Sequence, residues 1–152
     1  MIIEATDKII ISEATHEDID AFYYNGIERE VLSPIDIQGK LHAYREVGNV
    51  YAVQEIGSKY IAMYGDYECS PGVLQVWMLF NHEAGRYAKT IIKEMRIQLA
   101  ERMQTYHRIQ TYLFVGDKGA RYIEILGFKK EGTMKAFGPN KEDAEIWAMV
   151  VQ

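Results

Sequence analysis

Asp66 and Glu68 stand two apart in the stretch MYGDYECS, and His82 opens the segment HEAGRYA behind an apolar run. Residues two apart on a strand share one face, so the two carboxylates point the same way. A carboxylate or an imidazole so placed can act as a general base, the imidazole with a pKa suited to neutral pH. The plainer reading of the carboxylates is a solvated strand end, because carboxylates are mostly exposed. A lone histidine at a strand end is likewise more often structural. Residues 81–88 suggest a second chemistry. They join the apolar run VLQVWMLF to a long amphipathic helix. The first amides of a helix lack intrahelical partners and its dipole favours negative charge, so this elbow is a candidate phosphate site.

The bulk numbers bound what can surround these residues. A chain of 152 residues builds one domain with a real core, and 48% hydrophobic with 26% charged residues is a globular balance. The expectation is a single domain over 1–152. No apolar run reaches the length of a membrane span, the acidic start is not a signal peptide, and the single Cys69 fits a reducing cytoplasm. The net charge of −5 argues against a dedicated nucleic-acid binder. That charge is uneven. Residues 1–50 carry ten acidic and four basic side chains, whereas 86–108 carry six basic ones against Glu94 and Glu101. A solvated helix face is the ordinary explanation of the basic stretch; a field that attracts a polyphosphate is the sharper one.

The elements follow from periodicity and stop signals. Residues 8–13, with three consecutive isoleucines, read as a first strand. Thr15 begins a capping box with an acid at the third helical position, opening a helix that buries Ile19 and Phe22, with Tyr23, and ends near Asn25-Gly26. Ser33-Pro34 starts a second helix, predicted over 34–45. Strands at 50–56 and 59–68 flank Gly57-Ser58, a two-residue hairpin loop. Ser70-Pro71-Gly72 turns into a third strand over 73–80, whose apolar run predicts burial on both faces. Tyr87, Ile91, Met95, Leu99 and Met103 recur every fourth residue and predict the long helix. A strand at 108–115, a short helix ending at Gly127, and strands at 128–136 and 144–151 complete the chain. The order is β-α-α-β-β-β-α-β-α-β-β, an α/β (α+β) fold with a mixed sheet, one helical crossover and a closing hairpin.

This order, with the ending FVGDKGARYIEILGFKKEG, resembles the GNAT family of acyl-CoA-dependent N-acetyltransferases. Val115, Asp117, Ala120 and Leu126-Gly127-Phe128-Lys129-Lys130 supply the outline of the family's C-terminal motif, with Asp for its usual Asn and one residue fewer before the glycine. The family's acyl-CoA loop reads Gln/Arg-x-x-Gly-x-Gly/Ala, so that backbone amides close around a pyrophosphate. Here His82 stands at the Gln/Arg position, Gly85 keeps its place, and Tyr87 replaces a small residue. Glu83 adds a negative charge. The resemblance implies acetyl-CoA as cofactor and an amine as co-substrate. Gly85, Arg86, Tyr87 and Ala88 would hold the pyrophosphate and Lys89 or Lys93 would approach the distal phosphate, while Leu79 and Phe80 end the strand whose amides polarise the thioester carbonyl. Asp117 and Ala120 carry the second motif. Asp66, Glu68 or His82 would be the base. The family's thiolate-protonating tyrosine falls at Ile123, with Tyr122 beside it.

The chain is also similar in size and plan to the small internal virion proteins of short-tailed bacteriophages, through Gly26-Ile27-Glu28, the altered elbow and Val115-Gly116-Asp117. That similarity implies a GNAT fold with a decayed acyl-CoA loop, serving in a virion or binding a protein partner, located in the host cytoplasm or the particle. An active N-acetyltransferase is the alternative, and a homodimer is compatible with either. No catalytic-serine elbow, Walker loop or His-Glu-x-x-His pair is present, and the four widely spaced histidines suggest no metal site.

Overall fold

The alternation of buried and half-buried residues in Ile9–Glu13 places Ile9 and Ile11 on one covered face, the pattern of a strand lying on a core. The structure, a computed structural model, describes residues 1–6, 8–27, 36–57 and 59–151. Its contacts divide the chain into two units, Met1–Tyr67 with Trp77–Ala88, and Glu68–Val76 with Lys89–Gln152.

In the first unit, strand β1 (Ile2–Ala5) pairs antiparallel with β2 (Ile9–Glu13), β2 with β3 (Gly48–Glu55), and β3 with β4 (Tyr60–Ser70). Strand β1 is absent from the sequence-based order. Its four residues are too few for a period to register, and pairing with β2 is what orders them. Helix α1 (His16–Asn25) opens as expected: the Asp18 amide donates to Thr15 Oγ1 at 3.1 Å and the Thr15 amide to the Asp18 carboxylate at 2.8 Å. Ile19 and Phe22 are fully buried. Gly26 follows with ordinary right-handed geometry. A Cβ there would lie 2.7 Å from the Phe22 ring and 2.9 Å from the Tyr60 carbonyl, so close approach accounts for this glycine.

Helix α2 (Ile37–Val47) begins later than Ser33-Pro34 suggests, a pair that lies outside the described residues, as does Glu28. Asp36 caps it instead, accepting from the Gly39 amide at 2.9 Å. The two helices bury Ile19, Phe22 and Leu41 against Ala14, Val50, Ala52 and Met63, with Tyr44, Trp77 and Leu79 at the rim. Full burial of a side chain such as Phe22 contributes about 1.5–3 kcal/mol. Tyr51 and Val53, on the opposite face of β3, are buried as well. The β3–β4 connection is longer than two residues, running from Ile56 to Lys59, with Ser58 outside the described residues.

In the second unit, Pro71-Gly72 turns the chain into β5 (Val73–Phe80), whose residues from Trp77 onward belong to the first unit. Gly72 has φ +77° and faces the His107 ring so closely that no side chain fits. Helix α3 (Ala88–Arg102) buries Ile91, Met95 and Leu99, the expected stripe, and also Glu94, which the apolar pattern did not reveal. Strand β6 (Arg108–Phe114) leads to α4 (Ala120–Ile125), and β7 (Lys129–Met134) returns as β8 (Ala144–Val150). Gly127, at φ +105°, is the left-handed residue behind α4 that the sequence predicts. Strand β8 pairs antiparallel with the whole of β6 on one side and with β7 on the other. The parallel ladder of β5 with β6 covers Val73–Gln75 against Arg108–Gln110.

The eight strands form a mixed sheet in the order β1-β2-β3-β4-β5-β6-β8-β7. Leu74, Gln75 and Val76 of β5 are buried, but Trp77 to Phe80 are only half-buried, so the expectation of full burial holds for the first half of that strand alone.

Candidate functional site

The elbow is built around Asn81, whose side chain is more than nine-tenths buried. Its amide donates to the Ile61 carbonyl at 3.0 Å, and its Nδ2 donates to the carbonyls of Gly26 at 2.9 Å and Tyr60 at 3.3 Å. Its Oδ1 accepts from the Glu83 amide at 3.0 Å. Asn81 is therefore the cap of a 3-10 turn over His82–Tyr87 that runs directly into α3. This differs from a long helix beginning at Tyr87, and the difference bears on chemistry. A 3-10 turn satisfies its own amides by i to i+3 hydrogen bonds. At its two ends the Ala84 amide donates to the Asn81 carbonyl at 3.2 Å and the Ala88 amide to the Gly85 carbonyl. Three of the loop's donors, the Glu83, Ala84 and Ala88 amides, are thus engaged within it.

Charge reinforces that geometry. Glu83, with 16% of its side chain exposed, meets Lys59 Nζ at 2.6 Å, and the hydrogen bond from Lys59 holds its carboxyl below the usual range despite some desolvation. The His82 ring lies 3.9 Å from the same carboxylate and is largely exposed. The Tyr87 hydroxyl is pushed above its ordinary value, first by desolvation and then by the charge and hydrogen bonding of Glu55. Ala84 is buried and Gly85 exposed. A Cβ on Gly85 would meet nothing within 4 Å, and its φ lies outside the left-handed region. Neither packing nor backbone geometry within the protein requires a glycine there. Arg86 and Lys89 are exposed. Leu79 and Phe80 are half-buried, Leu79 against the core of the first unit.

The remaining candidates lie in separate settings. Asp66 is buried and accepts from Asn49 Nδ2 at 2.8 Å. Glu68 is exposed and accepts from the Gly72 amide at 3.0 Å, closing the β4–β5 turn. The two carboxylates thus have different environments despite their spacing. Asp117 Oδ1 accepts from the Gly119 amide at 2.7 Å, and its carbonyl accepts from the Ala120 amide at 3.2 Å, so its oxygens organise the entry to α4. Tyr122 is half-buried, with Arg121 donating to its hydroxyl at 2.9 Å and lying over its ring. Ile123 is fully buried. The elbow and Asp66 belong to the first unit; Glu68, Lys89, Asp117, Ala120 and Tyr122 belong to the second.

Two residues important to the elbow escape the sequence reading. Asn81, placed two before Glu83, carries a legible capping signal. Lys59 carries none, because only tertiary contact brings it to Glu83. Among the described residues no group of three or more His, Cys, Asp or Glu is arranged to hold a metal ion. None of the helices described is long and apolar enough to cross a membrane.

The sequence matches no protein-family model and no curated protein. Solved structures do resemble the fold. A GNAT-family acetyltransferase from Bacillus anthracis is 17% identical and superposes with a TM-score of 0.70, covering 99% of this chain and 98% of its own. Ard1 from Thermoplasma volcanium, 16% identical, reaches 0.75 over 95% and 98%. Spermidine N-acetyltransferase from Vibrio cholerae, solved with CoA and spermine, is 13% identical and reaches 0.71 over 95% and 96%. The chain has the fold of these acetyltransferases.

Proposed function

We propose that this chain is a GNAT-fold protein whose acyl-CoA elbow has closed on itself, and that it binds a protein partner rather than transferring acyl groups. The observation that carries this reading is the 3-10 turn over His82–Tyr87, where the Glu83, Ala84 and Ala88 amides are engaged and Glu83 is paired with Lys59. A pyrophosphate needs open amides and a positive field, and here the Glu83 carboxylate takes up the charge of Lys59. Ile123, buried where the resemblance places a thiolate acid, supports the same reading. The whole of 1–152 acts as one domain in this proposal. Similarity to the internal virion proteins of short-tailed phages makes assembly into a particle the specific form of it, with the host cytoplasm as the place of synthesis.

Ligand linkage tests the reading. A ligand at a hundredfold excess over its dissociation constant stabilises a protein by about 2.7 kcal/mol. The expected result is an unchanged melting temperature in millimolar acetyl-CoA. A saturable upward shift, lost in Gly85→Asp, overturns it. Mass spectrometry of purified particles tests the virion form.

One observation favours a second reading, an active acetyl-CoA-dependent N-acetyltransferase. Gly85 is a glycine without a steric or conformational need inside the protein, as expected of a residue kept small for a ligand. In that reading acetyl-CoA rests on residues 85–89, with Leu79 and Phe80 at the thioester. Asp66, Glu68 or His82 serves as base for an amine and Tyr122 as acid. The melting experiment separates the two.

A further inference from the structure

Away from the elbow, α1 and α2 are joined by a pair of imidazoles. His16 Nδ1 and His42 Nδ1 are 2.6 Å apart, with ring centroids 4.8 Å apart. On the far side of each ring stands a carboxylate: Asp20 Oδ1 is 2.8 Å from His42 Nε2, and Glu46 Oε1 is 3.1 Å from His16 Nε2. Arg45 Nη1 is 3.2 Å from the same His16 nitrogen, while Arg45 Nε donates to the Ala14 carbonyl at 2.8 Å. Gln38 Nε2 donates to Asp20 at 2.7 Å. Among the described residues, Asp20, Arg45 and Glu46 are the charged side chains in contact with the two rings. Asp18, on the same turn of α1, is taken by the Thr15 amide and the Tyr60 hydroxyl.

The proton count of this pair is fixed by its partners. Asp20 is held below the usual carboxylate range by its bonds from Gln38 and then His42, so it is an acceptor at any pH near neutral. His42 Nε2 must therefore carry a proton. In neutral His42 the lone pair is then on Nδ1, and His16 Nδ1 must donate to it. His16 Nε2 can remain bare and accept from Arg45, or take a proton and donate to Glu46. The cluster thus tolerates a neutral pair or a single added proton. A second added proton would have to go to His42 Nδ1, placing two N–H groups against each other at 2.6 Å. That state cannot keep the contact.

We propose that the α1–α2 junction is an acid-sensitive latch, closed while His16 and His42 share one proton between their Nδ1 atoms and opened when each ring holds its own. The sign follows from linkage. The open state binds one more proton than the closed state, so closure weakens as pH falls and is complete when pH rises. Each pH unit of acidification raises the opening constant by at most about tenfold, the limit for uptake of one proton. Both rings and Glu46 stand partly in solvent, while Ile19, Phe22 and Leu41 pack the junction beneath them and oppose the opening.

Native-state amide hydrogen exchange of the full chain in chelator, read as protection factors from pH 7.5 to 5.0, tests this directly. Amides of α2 around Leu41 should lose protection by up to about tenfold per unit as pH falls, while those of α3 at Ile91 and Met95 stay constant. His42→Gln keeps a donor toward Asp20 but cannot take a proton, and it should flatten the α2 response. His16→Gln should do the same by removing the ring that faces His42 Nδ1. Protection in α2 that is level with pH in the natural chain overturns the proposal, as does a slope unchanged in both variants. Parallel loss in α2 and α3 also overturns it, since that is global unfolding. Ring NMR showing two independent titrations with α2 still protected does so as well.

Discussion

Asn81 Nδ2 lies 2.9 Å from the Gly26 carbonyl, tying the end of β5 to the end of α1 through a single side chain. The same side chain caps the elbow turn at Glu83. Asn81→Ala removes the cap and strands a buried carbonyl, so both costs apply. A cap is worth about 1 kcal/mol and an unsatisfied buried group about 1–3 kcal/mol. The expected loss is about 2–4 kcal/mol in urea denaturation. Asn81→Asp keeps the acceptor for Glu83 but faces two carbonyls with a carboxylate, and it should lose nearly as much. A loss below about 0.5 kcal/mol for both would show that Asn81 does not organise this corner.

Gly85 gives the opposite expectation. With open space at its Cβ and a φ outside the left-handed region, Gly85→Ala should fold normally and gain about 0.4–1 kcal/mol through the unfolded chain. If the elbow holds no pyrophosphate, its response to acetyl-CoA is the same as that of the natural chain, namely none. A destabilised Gly85→Ala variant would contradict the observed backbone geometry.

These two residues show what was legible. Gly85 was found by its place in a motif, but a motif cannot say that the loop around it is a 3-10 turn capped by Asn81. The long elements were readable because their periods are long: α3 from its fourth-residue stripe, α1 from its capping box, β6 and β8 from apolar runs between turns. Strand β1 was missed because four residues carry no period and only pairing orders them. Lys59 and Asn49 were missed as partners of Glu83 and Asp66 for a related reason. An ion pair or hydrogen bond between strands or loops far apart in sequence leaves no spacing to read. The buried Glu94 contradicts the simple helix stripe, and no residue type next to it announces the burial.

Arg108 and Glu131 give a pH prediction with a definite sign. Arg108 donates through Nη1 at 3.0 Å and Nη2 at 2.6 Å, a two-pronged pair reaching across β8 to the irregularity between Lys130 and Gly132. Its hydrogen bonds hold the Glu131 carboxyl below the ordinary range. A depressed carboxyl pKa contributes stability above the unfolded value of about 4.3, and that stability is lost as pH falls through the folded value. Because Glu131 is 40% exposed, solvent screening limits the pair to about 1 kcal/mol or less. Arg108→Gln should therefore lower stability modestly at pH 7 and return the Glu131 titration, followed by carboxyl NMR, toward 4.3. An unchanged Glu131 midpoint would deny Arg108 that role.

Ile123 and Tyr122 separate architecture from chemistry on adjacent positions of α4. Ile123 is fully buried, and the Phe128 amide donates to its carbonyl at 3.2 Å behind the left-handed Gly127. Ile123→Ala should cost about 2–5 kcal/mol as a cavity in a close-packed site. Ile123→Tyr, which introduces the residue type that the resemblance implies there, should cost about 1–3 kcal/mol by overpacking and confer no thioester cleavage. Tyr122→Phe removes a hydroxyl whose recorded partner is the neighbouring Arg121, so it should change stability by less than about 0.5 kcal/mol. Urea denaturation of all three, with release of free thiol from acetyl-CoA measured in parallel, checks the set. Thiol release by the natural chain that is lost in Tyr122→Phe at unchanged stability would make Tyr122 a catalytic acid. The expected outcome is no release from any of the four proteins, with the stability order Tyr122→Phe, Ile123→Tyr, Ile123→Ala.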